Sequence, residues 1–251
     1  MQAIIELKNA TVIVDNGTEK KIILDNVSLS IFPQDFITIV GGNGAGKSTL
    51  FNVISGNLML TEGQIFILGH DMTKKTPQAR SKYLARVFQD PKMGTAPRMT
   101  VLENLVVAQL RGKKRGLKIT NTKNIQETFL KKAEQIGNGL ENHLTSPTGN
   151  LSGGQRQVLS LLMATLQKPE LLLLDEHTAA LDPKTSKAIM ELTDNVIKSE
   201  QLTSLMITHQ MEDALRFGNR LLVMKSGKIV KDINSATKSQ MKLEDFYRIF
   251  E

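Results

Sequence analysis

The chain has 251 residues, of which 40% are hydrophobic and 23% charged, and this composition is typical of a folded globular protein. It contains no cysteine, which excludes disulfides, zinc–thiolate sites and cysteine nucleophiles. No apolar run approaches the roughly 20 residues that a membrane-spanning helix needs, and the first residues lack a signal-peptide pattern. We therefore expect a chain that neither spans a membrane nor is secreted. The formal net charge of +7 permits polyanionic partners such as nucleotides, nucleic acids or acidic lipids.

The first ninety residues predict strands around one glycine-rich loop. Residues 3–8 and 21–31 are rich in Ile, Leu and Val and flank a turn-like stretch, which predicts two strands. Phe36–Val40 is a short, mostly apolar run that ends in glycines, and it predicts a buried parallel strand followed by a helix over Lys47–Ser55. Residues 65–68 and 85–88 predict two further strands.

From residue 90 to about residue 150, helical signals replace strand signals. Thr100 and Glu103 form a capping-box pattern that predicts a helix to about residue 110, and residues 125–136 predict another. Strands return at Leu171–Asp175, 204–208, 220–224 and Lys228–Ile233, and Asp182 followed by proline is typical of a helix start. We predict an α/β core (1–89 and 157–235) with an N-terminal antiparallel β subdomain, a helical subdomain (90–156) and a C-terminal helix (236–251).

The loop after the predicted buried strand matches the phosphate-binding pattern G-x-x-x-x-G-K-[ST]. Glycines let backbone N–H groups converge on phosphate oxygens, and the following helix presents its positive end to the anion. Lys47 is expected to reach the β- and γ-phosphates, and Ser48 to ligate Mg²⁺. The predicted nucleotide-binding residues of this loop are Gly41, Gly42, Asn43, Gly44, Ala45, Gly46, Lys47, Ser48 and Thr49.

Two carboxylates follow a predicted buried strand of four leucines. Ligands of open α/β sheets bind at the carboxyl ends of the strands, which is where Asp175 and Glu176 are expected. Asp175 suits a Mg²⁺ site, and Glu176 suits a general base that polarises the attacking water. A strand that ends in Asp-Glu is common, so this interpretation depends on the phosphate loop in the same chain.

A third motif is the sequence Leu-Ser-Gly-Gly-Gln at residues 151–155. A serine and two glycines at a helix start form a second phosphate cradle, made here by Ser152, Gly153, Gly154 and Gln155. One γ-phosphate does not need two such cradles from one chain. We therefore expect a second subunit to supply this one.

Together these motifs resemble those of the nucleotide-binding subunit of ATP-binding cassette (ABC) transporters, of which the Leu-Ser-Gly-Gly-Gln pentapeptide is distinctive. The resemblance covers nearly the whole chain and implies a RecA-like P-loop NTPase core that binds ATP and Mg²⁺. It implies that Gln89 touches Mg²⁺ and the attacking water, and that His209 contacts the γ-phosphate. It also implies that Asp182 crosses the interface of a head-to-tail homodimer, which closes on ATP and reopens on hydrolysis.

The resemblance also implies partners and a location. A separate transmembrane permease would hold the chain at the cytoplasmic side of the cell membrane as a peripheral subunit. The motifs at residues 90–100 and 175–182 resemble a branch of importer ATPases linked to tryptophan and tyrosine uptake. That likeness implies an importer of a small solute such as an amino acid, together with an extracytoplasmic solute-binding protein; nucleic acid is not an expected partner. Two alternatives stay open: a soluble ABC ATPase acting on ribosomes or nucleic acid, and a regulatory module that binds ATP without hydrolysing it.

Three positions depart from the family pattern or stay ambiguous. Val14 stands where the family usually has an aromatic residue that stacks on adenine, so we expect weak discrimination between bases. His177 stands where proline is commoner, and it is either a loop histidine or part of the catalytic hydrogen-bond network. The basic run at residues 111–118 is either a solvated loop or a contact with anionic lipid or a membrane subunit.

Overall fold

The computed structural model describes residues 2–15, 17–113, 122–136 and 138–245. Short 3-10 helices cover Pro91–Gly94, Leu140–His143 and Thr148–Asn150. The strands and α-helices, in chain order, are β1 (Ile5–Asp15), β2 (Lys20–Ile31), β3 (Phe36–Val40), α1 (Lys47–Ser55), β4 (Glu62–Ile67), β5 (His70–Asp71), α2 (Pro77–Arg80), β6 (Leu84–Val87), α3 (Val101–Gln109), α4 (Thr122–Ile136), α5 (Gly153–Thr165), β7 (Leu171–Asp175), α6 (Pro183–Ser199), β8 (Ser204–Ile207), α7 (Met211–Arg216), β9 (Arg220–Lys225), β10 (Lys228–Ile233) and α8 (Ser235–Lys238).

Two sheets form the frame of the fold. The first is antiparallel, with strand order β2-β1-β4-β5. The second has the order β10-β9-β3-β8-β7-β6, in which β10 is antiparallel to β9 and the neighbouring pairs from β9 to β6 are parallel. The carboxyl ends of β3, β8, β7 and β6 therefore lie along one edge of the second sheet.

The main apolar core contains residues of both sheets and of α1. Leu50, Phe51 and Ile54 of α1 are fully buried there. Along β7 the leucines alternate: Leu171 and Leu173 belong to this core, whereas Leu172 and Leu174 belong to a second cluster with residues of α5 and α6. Both faces of β7 are covered, which explains why its sequence is a continuous apolar run.

A third apolar cluster gathers the helices between β6 and β7. It contains side chains from α3, α4 and α5, and Ile189 of α6 also belongs to it. At its edge, the predicted capping box is present, since Thr100 Oγ1 accepts from the Glu103 N–H and the Thr100 N–H donates to the Glu103 carboxylate. The helical texture predicted for residues 90–156 is thus found in the described part of that range.

Most predicted elements are confirmed, with α1, β3, β7 and β10 at the predicted bounds. The first strand is longer than predicted and runs to Asp15. Its pairing with β2 shifts register after Leu7 and again after Ala10. Such bulges break the alternation on which strand prediction depends. After β10, α8 covers Ser235–Lys238, and residues 246–251 lie outside the described residues.

Candidate nucleotide site

The phosphate loop lies between the buried strand β3 and helix α1. Gly44 and Gly46 have φ angles of 76° and 99°, which side chains rarely adopt. A Cβ at Gly46 would also lie 2.8 Å from the carbonyl oxygen of Ile23. At Gly42 and Gly44, by contrast, an added Cβ would meet no atom of the described residues within 4 Å, so the loop has an open side. A tight loop with one open side beside a helix N-terminus fits a phosphate group.

Lys47 begins α1 and is only 5% exposed. Its Nζ donates to the carbonyl oxygens of Gly41 at 2.7 Å and Gly42 at 3.1 Å, so the ammonium group is held inside the loop. Burial lowers the pKa of Lys47, and the charge of Glu176 opposes that effect. A buried cation is stabilised by an anion, and this position suits phosphate oxygens.

The two predicted carboxylates lie at the end of β7. Glu176 has a φ of 46°, an uncommon value for a residue with a side chain, and its N–H donates to the carbonyl oxygen of Ile207 at 3.1 Å. Its Oε1 lies 2.6 Å from Nε2 of His209, which follows β8. The side chain of Glu176 is 14% exposed and that of His209 is 46% exposed. The predicted base and the predicted switch histidine are therefore in direct contact.

Asp175 makes an ion pair that the sequence analysis missed. Its Oδ2 lies 2.5 Å from Nη2 of Arg86 on β6, and Nη1 of Arg86 donates to Oδ1 of Asn52 at 2.8 Å. The only sequence signal was an arginine inside an otherwise apolar strand of four residues. An arginine in such a position needs a buried acceptor, and the end of the neighbouring parallel strand provides one.

The remaining residues predicted to hold Mg²⁺ also lie on this side of the second sheet. Ser48 is exposed in the first turn of α1, and Gln89 is exposed just after β6. A hydroxyl, an amide oxygen and a carboxylate are the hard oxygen ligands that Mg²⁺ prefers, and phosphates usually complete its coordination. Within the described ranges there is no group of three or more His, Cys, Asp or Glu side chains that could hold a metal ion.

The third motif begins α5. Ser152 is the N-cap and forms a capping box with Gln155: the Gln155 N–H donates to Ser152 Oγ at 3.2 Å, and the Ser152 N–H donates to Gln155 Oε1 at 3.1 Å. Ser152 and Gly153 are exposed. Behind them, buried Arg156 donates to the carbonyl oxygens of Thr148 and Gly149 and fixes the preceding loop. An exposed helix N-terminus on a rigid base suits an anion.

A cleft of about 940 Å³ opens in front of this motif. It is lined by Ser152, Gly153, Gly154 and Gln155 together with Asp182, the N-cap of α6. Gly154 packs so closely on α6 that a Cβ there would lie 2.7 Å from Cγ2 of Thr185. Of the described residues that line the cleft, none comes from the phosphate loop, the β7 carboxylates or the β8 histidine. The third motif and the phosphate loop therefore do not line this cleft together.

Val14, the predicted base contact, lies near the end of β1 and is 46% exposed. Ile22 on the paired strand β2 is 53% exposed, and the next residue of β2, Ile23, approaches the phosphate loop at Gly46. Because Val14 pairs with Lys21 and Ile22 pairs with Ile13, the two exposed aliphatic side chains lie on opposite faces of the β1–β2 hairpin, and each face has its own small aliphatic surface. Such a surface offers a base apolar contact without aromatic stacking.

His177 does not reach the predicted catalytic groups through its Nε2. The ring is 2% exposed, and Nε2 lies 3.0 Å from Oγ1 of Thr193 on α6. The Thr193 hydroxyl itself donates to the carbonyl oxygen of Ile189, so it accepts from a neutral ring protonated at Nε2. Burial lowers the pKa of His177 to about 4, which keeps the ring neutral.

The basic run is not a uniform solvated loop. Arg111 donates through Nη1 and Nη2 to the carbonyl oxygens of Ala164 and Gln167 at the end of α5, and burial lowers its pKa. It therefore acts as a C-terminal cap for α5. Residues 114–121, which include the rest of the run, lie outside the described residues.

The chain is similar to known proteins along most of its length. The profile of the ABC transporter family matches residues 24–179. The tyrosine transport ATP-binding protein of Clostridioides difficile is 43% identical over 235 residues, covering 93% of this chain and 92% of the relative. A phosphonates import ATP-binding protein of Oceanobacillus iheyensis is 33% identical over 241 residues, covering 92% and 91%.

A solved structure has the same fold. It is a dimeric ATP-binding cassette in a post-hydrolysis state bound to ADP and Pi, with a TM-score of 0.76 and 28% identity. The match covers 92% of this chain and 98% of that chain.

Proposed function

Because the chain belongs to the ABC transporter family, it is an ATP-hydrolysing subunit of the kind that drives import through a membrane permease, and we propose that its cargo is an aromatic amino acid. The observation that carries the choice of cargo is the 43% identity, over nearly the full length of both chains, to a tyrosine transport ATP-binding protein. The cargo would be recognised by the permease and by an extracytoplasmic solute-binding protein, since the sites described above suit phosphates.

The catalytic roles follow from the contacts at the edge of the second sheet. Lys47, held in the phosphate loop, binds the β- and γ-phosphates. Glu176 takes a proton from the attacking water, and His209, 2.6 Å from it, orients that carboxylate and contacts the γ-phosphate. Ser48, Gln89 and Asp175 would hold Mg²⁺, which would supply positive charge to offset that of the phosphates.

The homodimer is head to tail, so that each complete site uses two chains. One chain contributes the phosphate loop, the carboxylates and His209; the other contributes Ser152, Gly153, Gly154, Gln155 and Asp182. The separation of the two half-sites within one chain supports this arrangement, because the cleft in front of α5 shares no lining residue with the phosphate loop. ATP would fill the gap between the half-sites and so favour the closed dimer.

The permease docks on the loop after Gln89. Met93 there is 71% exposed, an unusual exposure for an apolar side chain of that size, and Val107 on α3 is 48% exposed. Asn104, 2% exposed, fixes the loop by accepting from the Ala96 N–H and donating to the carbonyl oxygens of Met99 and Thr100. None of the described helices is long and apolar enough to cross a bilayer. The chain would thus be peripheral, on the cytoplasmic side of the membrane.

The test is co-purification from native membranes with Glu176→Gln as bait in the presence of ATP. This change removes the base and keeps the size of the side chain, so the closed assembly should persist. The double variant Lys47→Ala, Glu176→Gln is the matched control, because it loses the phosphate contact as well. We expect a multi-span permease with the first bait and little with the second, and aromatic amino acid binding by any solute-binding protein that accompanies it.

Two results would count against the proposal. Recovery of ribosomes or nucleic acid without a membrane protein would favour a soluble ABC ATPase. Absence of phosphate release by the wild-type chain with its permease, at saturating ATP and Mg²⁺, would favour a regulatory module that binds ATP only.

A further inference from the structure

Arg86 lies at the nucleotide site although none of the expected motifs includes it. It is on β6, three residues before Gln89, and its side chain is 14% exposed. Nη2 lies 2.5 Å from Oδ2 of Asp175, the carboxylate assigned to Mg²⁺. One carboxylate oxygen of the proposed metal ligand is therefore already paired with a fixed cation.

The guanidinium group is held in place from two other sides. Nη1 donates to Oδ1 of Asn52 at 2.8 Å, and Asn52 follows Ser48 by one turn of α1. The guanidinium carbon also lies 4.9 Å from the ring centre of Phe88, next to Gln89. Arg86 thus contacts Asp175 directly, and it contacts neighbours of the other two expected metal ligands, Asn52 near Ser48 and Phe88 next to Gln89.

Its contacts are not those of an ion pair optimised for stability. Nε of Arg86 is buried and has no hydrogen-bond partner among the described residues. A buried donor without a partner costs free energy, and buried ion pairs are often no more stabilising than apolar residues. Because this unpaired Nε makes the pair a poor source of stability, we look for the role of Arg86 at the nucleotide site itself.

We propose that Arg86 is a positioning residue that neutralises Asp175 in the absence of metal and so reduces the dependence of nucleotide binding on Mg²⁺. The inference rests on the Mg²⁺ site proposed above. Without a cation, the buried Asp175 carboxylate would repel the triphosphate; with Arg86 paired to Oδ2, that repulsion is offset. The charge of Mg²⁺ at this site would repel that of the guanidinium, so the gain from the metal would be smaller than it would be without Arg86.

The measurement is the affinity for a non-hydrolysable ATP analogue by titration calorimetry, with Mg²⁺ and with EDTA. The readout is the dissociation constant measured in EDTA divided by the dissociation constant measured with Mg²⁺. An opposite charge beside a carboxylate changes its energetics by about one to three pKa units, so Arg86→Gln should raise the ratio at least about tenfold. Arg86→Lys keeps the charge and should stay near the wild-type ratio. Arg216→Gln, which breaks an exposed pair with Glu191, is the matched control.

The outcomes separate this inference from the proposal on which it rests. A ratio near one for the wild type and for Arg86→Gln would refute the Mg²⁺ site itself. A wild-type preference for Mg²⁺ that Arg86→Gln leaves unchanged would refute the role of Arg86 and leave the site intact. If Arg86→Gln does not fold, the wild-type chain labelled with ¹⁵N-arginine gives the answer: the Arg86 guanidinium signal should shift when Mg²⁺ joins the bound analogue, and an unchanged signal would overturn the inference.

Discussion

Replacement of Arg80 by methionine should destabilise the protein more than any exposed arginine replacement. Arg80 ends α2, is 1% exposed and lies against Gly56, the C-cap of α1. Helix α1 has no basic residue in its last turn, and its C-terminal carbonyls accept from this distant side chain as well as from the backbone N–H groups of Gly56 and Leu58. The guanidinium donates to five carbonyl oxygens, those of Val53, Ile54, Met72, Thr73 and Lys75.

The size of the effect follows from burial. Two of these bonds are short, with Nη1 2.6 Å from Val53 O and Nη2 2.7 Å from Met72 O. A hydrogen bond to a charged group contributes about 1.5–3 kcal/mol, and the bonds of one group do not add fully. Removal of one partner from a buried charged arrangement costs about 3–5 kcal/mol. Methionine retains part of the packing of the arginine stem, so we expect a loss of about 3–4 kcal/mol.

Thermal and urea unfolding would measure this loss. In a domain of this size, 1 kcal/mol corresponds to about 2–4 °C, so Arg80→Met should lower Tm by about 10 °C. Arg216→Met is the control, because an exposed ion pair contributes at most about 1 kcal/mol. If Arg80→Met and Arg216→Met lose the same small amount of stability, Arg80 does not cap α1 and the reasoning fails.

Three further predictions concern a buried lysine, a buried histidine and the base contact. Burial lowers the pKa of Lys238 to about 8 from its usual 10.5. Between these two pH values the unfolded chain binds a proton that the folded chain lacks, so the stability of the wild type should rise with pH by up to about 1.4 kcal/mol per pH unit relative to Lys238→Met. Urea midpoints that change with pH in parallel for the two proteins would contradict this. His177→Ala should cost about 1–3 kcal/mol, because it removes a buried side chain and its hydrogen bond to Thr193 Oγ1. The folded variant should keep its rate of phosphate release. A lost rate at unchanged stability would instead show a catalytic role. The rates at which the wild type hydrolyses ATP and GTP should lie within about threefold of each other, since apolar contact discriminates weakly between bases. Val14→Tyr should raise the ratio of the ATP rate to the GTP rate by about three- to tenfold. A strong ATP preference in the wild type would refute the prediction.

The sequence predicted elements best where a single physical signal dominated. A buried parallel strand must be apolar on both faces, and β3 and β7 are therefore visible as continuous runs with exact ends. The loop from Gly41 to Ser48 was equally visible, because a helix start that cradles phosphate needs glycines at fixed spacing. Local chemistry also identified the capping box at Thr100, since its partner Glu103 is three residues away. The box between Ser152 and Gln155 has the same spacing, but from the sequence we interpret that motif only as a phosphate cradle.

Contacts between distant residues could not be predicted in this way. The pair between Arg86 and Asp175 joins residues 89 positions apart, and it exists only because β6 and β7 are neighbours in parallel register. His177 is similar: its neutral state depends on burial against α6, of which the local sequence gives no sign. Arg111 is a third case, because its acceptors lie more than fifty residues later, at the end of α5.

The helix that carries the third motif is physically connected to the surface proposed for the permease. Arg156 of α5 donates to the carbonyl oxygen of Thr148 at 3.0 Å, and the Thr148 hydroxyl donates to the carbonyl oxygen of Ala96 at 2.9 Å. The Thr148 N–H also donates to the carbonyl oxygen of Met99 at 2.9 Å, and the Gly149 N–H donates to that of Pro97 at 2.9 Å. Three bonds thus join the loop before α5 to the loop before α3. Thr148 is fully buried, and displacement of either loop alone would leave its donors unpaired. A permease that moved the exposed loop would therefore have to move the N-terminus of α5 with it, which is the half-site that we propose for the opposite subunit.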